Sequence, residues 1–180
     1  MAELVSKTYS EAIFEIALED GRLEAIQNEF EFVVATLKEY PEFYEILKTP
    51  KINGTEKKVV LVETFGEHVS QTLLNFLKII IDKKRGTDIL DIKVDFDARV
   101  DEYNGVAKAT VESVVPLSEE QLKTLNHNLT KLTGKEVVIS TMINPELLGG
   151  LVIKLGDKVI DGSVKFKLEG MLEGLAQIII

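Results

Sequence analysis

Cysteine is absent from the 180 residues, which excludes disulfides and thiolate metal sites alike. Histidine is nearly absent: His68 and His127 are the only two. They lie far apart, and no His-Glu-x-x-His or paired-acid spacing surrounds either, so surface or capping roles are expected and a zinc centre is not. No Gly-x4-Gly-Lys-Ser/Thr run occurs, so nucleotide binding of the P-loop kind is not expected. No apolar run approaches the ~18 residues that span a bilayer. The opening MAELVSKTYSEAIF carries acids early and no unbroken apolar segment, unlike a secretory signal. The expectation is therefore a cytoplasmic chain that reaches a membrane only through a partner. In that setting Asn53-Gly54-Thr55 and Asn128-Leu129-Thr130 carry no meaning as glycosylation sites.

Basic charge is also scarce where it would matter. Residues 1–105 hold 13 Lys+Arg against 21 Asp+Glu, whereas residues 106–180 hold 8 against 9. An acidic front half disfavours binding to a phosphate backbone; it fits a solvated helical surface, or one that meets a basic partner segment. With 45% hydrophobic and 28% charged residues the chain reads as globular.

Helical periodicity fills the first hundred residues. Over Leu4–Leu18, Val5, Tyr9, Ala12, Ile13, Ile16 and Ala17 form one broad apolar face. Glu11, Glu15 and Glu19 form an acidic stripe at i,i+4 spacing, and Phe14 and Leu18 form a smaller apolar strip opposite. A second helix is expected from Leu23 to Lys38, stopped at Tyr40-Pro41. A short one follows over Glu42–Leu47, then one capped by Thr55. Ser70 caps a run to about Lys83 that is apolar on most of its circumference, and Asp88 starts a last helix ending near Tyr103-Asn104-Gly105. Six helices with short loops imply a helical bundle. Beyond Gly105 the pattern changes: Val106–Val115 alternates and is rich in β-branched residues, as a strand does. Ser118 with Gln121 has capping-box spacing, and Val137–Ile139 reads as a second strand. The expected fold class is α+β, with an N-terminal six-helix bundle over 1–105 and a small α+β domain with a β-hairpin and terminal helix over 106–180.

The most informative stretch is Asn144–Leu172. A double glycine, Gly149-Gly150, precedes the apolar run Leu151-Val152-Ile153, and Gly156-Asp157-Lys158 turns the chain into Val159-Ile160, as in a tight hairpin. Asp161-Gly162-Ser163 then introduces a helix with Val164, Leu168, Met171, Leu172 and Leu175 on one side. Carboxylate chemistry is not needed to explain these acids. Turn geometry accounts for Asp157, and helix initiation accounts for Asp161, which can accept backbone N–H bonds near Ser163. Asp95, Asp97 and Asp101 lack the glycine and terminal glutamate of a calcium loop and read as a solvated helix face.

This ordered combination resembles the C-terminal signature of the delta subunits of F-type ATP synthases, the oligomycin-sensitivity-conferring proteins of mitochondria. Leu147, Leu148, Gly149, Gly150, Asp161, Ser163 and Leu168 match it, while Asn144 stands where Asp is frequent and Phe166 where a small or polar residue is common. The resemblance extends to the N-terminal helix, Tyr9-Ser10-Glu11-Ala12-Ile13-Phe14-Glu15-Ile16-Ala17, where Ser10 and Ile13 depart from the family pattern. It continues through Asn75-Phe76-Leu77 with Arg85 and through Pro116-Leu117-Ser118.

The resemblance implies a non-catalytic stator subunit without cofactor, small-molecule ligand or nucleic acid. It implies that the helical domain grips the N-terminal helix of an alpha subunit between its first and fifth helices, at Tyr9, Ala12, Ile13, Phe14, Leu73, Phe76, Leu77 and Ile80. The C-terminal domain would meet the C-terminal end of the b subunit through the hairpin and last helix, at Leu151, Ile153, Val159, Leu172, Leu175 and Ile178. Gly149, Gly150, Asp161 and Ser163 would set the shape of that domain. The protein would sit at the inner face of the bacterial plasma membrane through its complex. The alternative is a helical regulatory module such as an RNA-binding antitermination factor, which the acidic front half disfavours; a small hydrolase using Asp157 and Asp161 is a third.

Overall fold

Local chemistry decides where each helix begins and ends. The computed structural model describes residues 2–156 and 158–178, with side chains over 4–156 and 158–171. Helix α1 spans Ala2–Glu19, and the chain turns as the Arg22 amide donates to Ala17 O at 2.9 Å. α2 (Leu23–Glu39) stops at Tyr40, and Pro41 occupies the first turn of α3 (Pro41–Lys48), where its missing N–H costs nothing. α4 covers Gly54–Phe65. Its cap is Asn53, whose side chain accepts from the Thr55 amide. The expected Thr55 cap is corrected accordingly, because Gly54 is already helical. α5 (Gln71–Asp82) is capped by Ser70. Glu29 of α2 accepts from both the Ser70 amide (2.8 Å) and its hydroxyl (2.6 Å), joining the start of α5 to α2. A 3-10 turn at Gly86–Asp88 leads into α6, Ile89–Tyr103.

These helices share one apolar core. It includes Ile13 and Ala17 of α1, Ile26, Phe30 and Val33 of α2, Leu47 of α3, Leu61 and Phe65 of α4, Leu73, Leu77 and Ile80 of α5, and Ile92, Phe96 and Val100 of α6. The Phe30 ring lies 6.1 Å from Phe76 and 6.0 Å from Phe96, linking α5 and α6 through α2. The chain divides into two compact units, Met1–Val100 and Asp101–Ile180. The division falls inside α6, just ahead of Gly105, and Asp101 pairs with Lys108 Nζ of the following strand at 2.6 Å.

In the second unit β1 (Val106–Ser113), α7 (Glu119–Thr133) and β2 (Glu136–Ile143) form a parallel crossover. The Ser118–Gln121 capping box is present at the start of α7. β2 is longer than the three residues expected because it pairs along the whole of β1. A 3-10 turn (Pro145–Leu147), β3 (Leu151–Leu155), β4 (Lys158–Asp161) and α8 (Val164–Ile178) complete the unit. The sheet order is β2-β1-β3-β4, with β3 antiparallel to both of its neighbours. Ala109, Val137 and Leu129 form a small core, flanked by Ala107, Leu125, Ile139, Ile153 and Leu155, so α7 covers one face of the sheet. No α8 side chain from Val164 to Met171 is buried.

Candidate interaction surfaces

The first surface lies along α1 and α5. These helices touch where the Tyr9 and Phe76 rings meet edge-on at 6.5 Å and where the Thr72 hydroxyl approaches Asp20 Oδ2 at 3.5 Å. Of the residues expected to line a groove here, Ile13, Leu73, Leu77 and Ile80 are fully buried in the isolated chain, and Phe76 nearly so. They form the floor beneath the helix pair, because an α5 that is apolar on most sides turns its widest face into the core it shares with Phe30. Tyr9 and Phe14 are half-buried against that core, and Ala12 is exposed.

Beside Ala12, two larger apolar groups that sequence reasoning did not assign to this surface lie open. Ile16 is 43% exposed and Ile79 is 50% exposed. Ile16 follows Tyr9 by seven residues and Ala12 by four, and Ile79 follows Thr72 by seven, so helical repeat places each on the side of its helix that meets the other. The available signal was their position at the edge of a broad apolar face. On the opposite side of α1, Arg99 of α6 donates to Ser10 Oγ, Lys7 O and Glu11 Oε2, which closes that side with polar contacts. Leu18 remains exposed there.

The second surface surrounds the double glycine. Gly150 sits at φ +79°, and a Cβ there would stand 2.3 Å from Gly162 O; at Gly149 one would meet Val164 Cγ2 at 3.0 Å. The absent side chains let the start of β3 pass directly under the start of α8. Val164 N then donates to Gly149 O (3.0 Å) and Gly162 N to Leu151 O (2.8 Å). Asp161 Oδ1 accepts from Ser163 N at 2.8 Å, and Ser163 Oγ accepts from Phe166 N at 3.1 Å. The Ser163 backbone and hydroxyl bonds hold the Asp161 carboxyl below the usual carboxylate range. Gly149, Gly150, Asp161 and Ser163 therefore come together, and their joint effect is to fix where α8 leaves the sheet.

The other expected residues of this surface separate. Register pairs Ile153 with Ile160 and Lys154 with Val159. Leu151, Ile153 and Ile160 thus share the α7 face, and Val159 lies on the other, because alternate strand residues point to opposite faces. Val159 therefore does not share a face with Leu151 and Ile153. The side chains of Leu172, Leu175 and Ile178 lie outside the described residues, as does Asp157. Phe166 and Met171 of α8 are 57% and 66% exposed, and Leu148, Val164 and Leu168 are also open. A groove of about 420 Å³ runs between α7 and β3, lined by Leu117, Gln121, Thr124, Leu125, Asn128 and Leu151.

Among the described residues no three His, Asp or Glu side chains are grouped to hold a metal. Asp97 is taken up by Lys93 and Gln27, and Asp101 by Lys108. What the molecule offers is two open apolar surfaces, one on each unit, and the family model for the ATP synthase delta (OSCP) subunit matches residues 5–175. The chain belongs to that family. As a member it is a peripheral-stalk subunit of an F-type ATP synthase, a structural component and not a catalyst.

Similar delta subunits span the same length. That of Alkaliphilus oremlandii is 39% identical over 180 residues, covering 100% of both chains. That of Syntrophomonas wolfei is 40% identical over 176 residues, covering 96% of this chain and 95% of its own. A chain of the Toxoplasma gondii mitochondrial ATP synthase hexamer has the same fold, with a TM-score of 0.74 and 23% identity over 95% of this chain and 97% of that one. No described helix is long and apolar enough to cross a membrane.

One departure from the family pattern has a structural partner. Asn144 Nδ2 donates to Glu112 Oε2 at 2.8 Å, while Lys154 Nζ donates to Glu112 Oε1 at 2.6 Å. Lys154 first and Asn144 second hold the Glu112 carboxyl below its usual range. An aspartate at position 144 has no proton to donate at neutral pH.

Proposed function

We propose that this delta-family chain is a two-ended mechanical tether. Helices α1–α6, read as a six-helix bundle over residues 1–105, hold the N-terminal helix of an alpha subunit along α1 and α5. Residues 106–180 hold the C-terminal end of the b subunit at the hairpin, α8 and the α7–β3 groove. Held this way, the alpha/beta head cannot turn with the rotor, and the chain stays at the inner face of the bacterial plasma membrane through its complex. It needs no cofactor, small molecule or nucleic acid to do so.

The observation that carries this reading is the open apolar surface on each unit: Ile16 and Ile79 on one, and Phe166, Leu168 and Met171 on the other. Apolar residues at helical spacing beside a helix pair suit helix-in-groove packing, and clustered exposed apolar side chains mark interaction sites. Torque loads the link on every cycle, so each end must release slowly. Burying ~400 Å² of apolar area at one end is worth ~10 kcal/mol gross at ~25 cal/mol/Å², before the costs of association and ordering. Two linked sites then reinforce each other through effective concentration.

The test is binding of two synthetic peptides to the full chain by calorimetry, one from the N-terminal end of the alpha subunit and one from the C-terminal end of the b subunit. Both bind at once to the unaltered chain. Ile79→Glu loses the first and keeps the second; Phe166→Glu does the reverse. Loss of both peptides in either variant, with the fold intact by circular dichroism, would refute the assignment of separate ends.

A further inference from the structure

We infer that the α1–α5 surface selects a helix with basic residues along one flank only, the flank that lies over α1. This rests on the docking reading above and adds to it the charge and direction of the occupant.

The acidic stripe of α1 is the starting point. Glu11, Glu15 and Glu19 repeat every four residues, and each such step turns about 40° around the helix axis. The stripe therefore winds around α1 instead of running straight. Glu11 lies on the α6 side, where Arg99 Nη2 meets it at 3.4 Å. Glu15 and Glu19 have moved round toward α5: each stands three residues beyond a member of the open apolar strip, Ala12 and Ile16 respectively. Both are exposed, and neither has an ion-pair partner among the described residues.

The opposite wall is different in kind. On α5, Gln71 and Asn75 bond to one another at 2.7 Å, and Asp82 is paired with Lys58 at 2.7 Å. That wall offers neutral amides and a neutralised acid. The one cation within α5, Lys78, follows Asn75 by three residues, on the side of Asn75 away from the α1 contact.

An amphipathic helix resting on Ile16 and Ile79 has two flanks. Lysine or arginine on the α1 flank faces two unpaired carboxylates, and on the α5 flank it faces amides and Lys78. Reversing the helix exchanges the flanks. The unpaired glutamates thus fix which way the incoming helix runs, a role in which charge decides orientation more than strength.

The experiment measures binding of a labelled peptide, the N-terminal segment of the alpha subunit from the same organism, to the full chain across a salt series. In the Glu15→Gln/Glu19→Gln double variant Kd is expected to rise about 3-fold to 10-fold at low salt, as for two exposed ion pairs, and its salt dependence flattens. Glu11→Gln, whose partner is Arg99, leaves Kd within twofold. A peptide with its lysines and arginines replaced by glutamine binds the unaltered chain as weakly as the double variant binds the original peptide. Unchanged affinity and salt dependence in the double variant overturn the inference and leave the docking reading standing. Absence of peptide binding to the unaltered chain, or full binding to Ile79→Glu, overturns the docking reading itself.

Discussion

Substituting alanine at Gly150 tests whether the double glycine is there for close backbone approach or merely for a turn. Two terms add at this position. The φ of +79° costs an L-residue roughly 1–2 kcal/mol. The new Cβ would also stand 2.3 Å from Gly162 O and 3.0 Å from Ser163 Cα. Both are backbone atoms that cannot rotate away, so strand and helix start must part, for about 2 kcal/mol more. Gly156 supplies the control: its φ is +55°, and a Cβ there meets nothing within 4 Å, so Gly156→Ala should cost only the conformational term. The expected destabilisation is about 3–4 kcal/mol for Gly150→Ala against about 1–2 kcal/mol for Gly156→Ala. A unit of this size has on the order of 4–12 kcal/mol in total, so the first loss is a large share of it. Urea unfolding followed by circular dichroism gives the two values. Hydrogen exchange locates the loss, which should concentrate in β3, β4 and the start of α8 and spare α2 and α5. Equal losses in the two variants would refute the close-approach argument.

Two further changes probe particular bonds. Asn144→Asp sets a second carboxylate against Glu112; the second unit should unfold at lower urea at pH 7, and the deficit should shrink as pH falls and one of the pair takes up a proton. Because the Glu112 carboxyl is held below its usual range, its bonds stabilise the fold above the ordinary carboxylate pKa and are lost as pH falls through the lowered value. A Glu112→Gln variant should therefore show a weaker acid-side decline in urea midpoint. Phe30→Ala empties the position where rings from α5 and α6 converge and should cost roughly 3–5 kcal/mol in the first unit, read by the same exchange experiment in α2, α5 and α6.

Features written in short-range chemistry were legible before the fold was known. The Ser118–Gln121 capping box, the Ser70 cap and the Tyr40-Pro41 stop each depend on residues within one turn, so sequence spacing is enough to identify them. The glycine pair and Asp161-x-Ser163 belong to the same class, since their bonds join neighbours across a single hairpin. What escaped depends on partners distant in sequence. The apolar run of α5 does not reveal that Leu73, Leu77 and Ile80 are buried in the core that includes Phe30 while Ile79 faces out; that follows only once the other helices are in place. Val159 and Ile160 look equivalent until pairing with β3 sends them to opposite faces. The Asn53 cap was displaced onto Thr55 because both residues cap well and only the backbone distinguishes them. Nothing in the sequence of α8, which has apolar residues at helical spacing, signals that its side chains from Val164 to Met171 are left exposed.

The central claim is that a continuous hold on the head keeps it from turning, and proton pumping by inverted membrane vesicles tests it most directly. Vesicles carrying the Ile79→Glu chain should hydrolyse ATP in their released or idling heads while failing to build a proton gradient, and addition of unaltered chain should restore pumping. A gradient of normal size from Ile79→Glu vesicles, with the variant chain the only delta subunit present, would contradict the account.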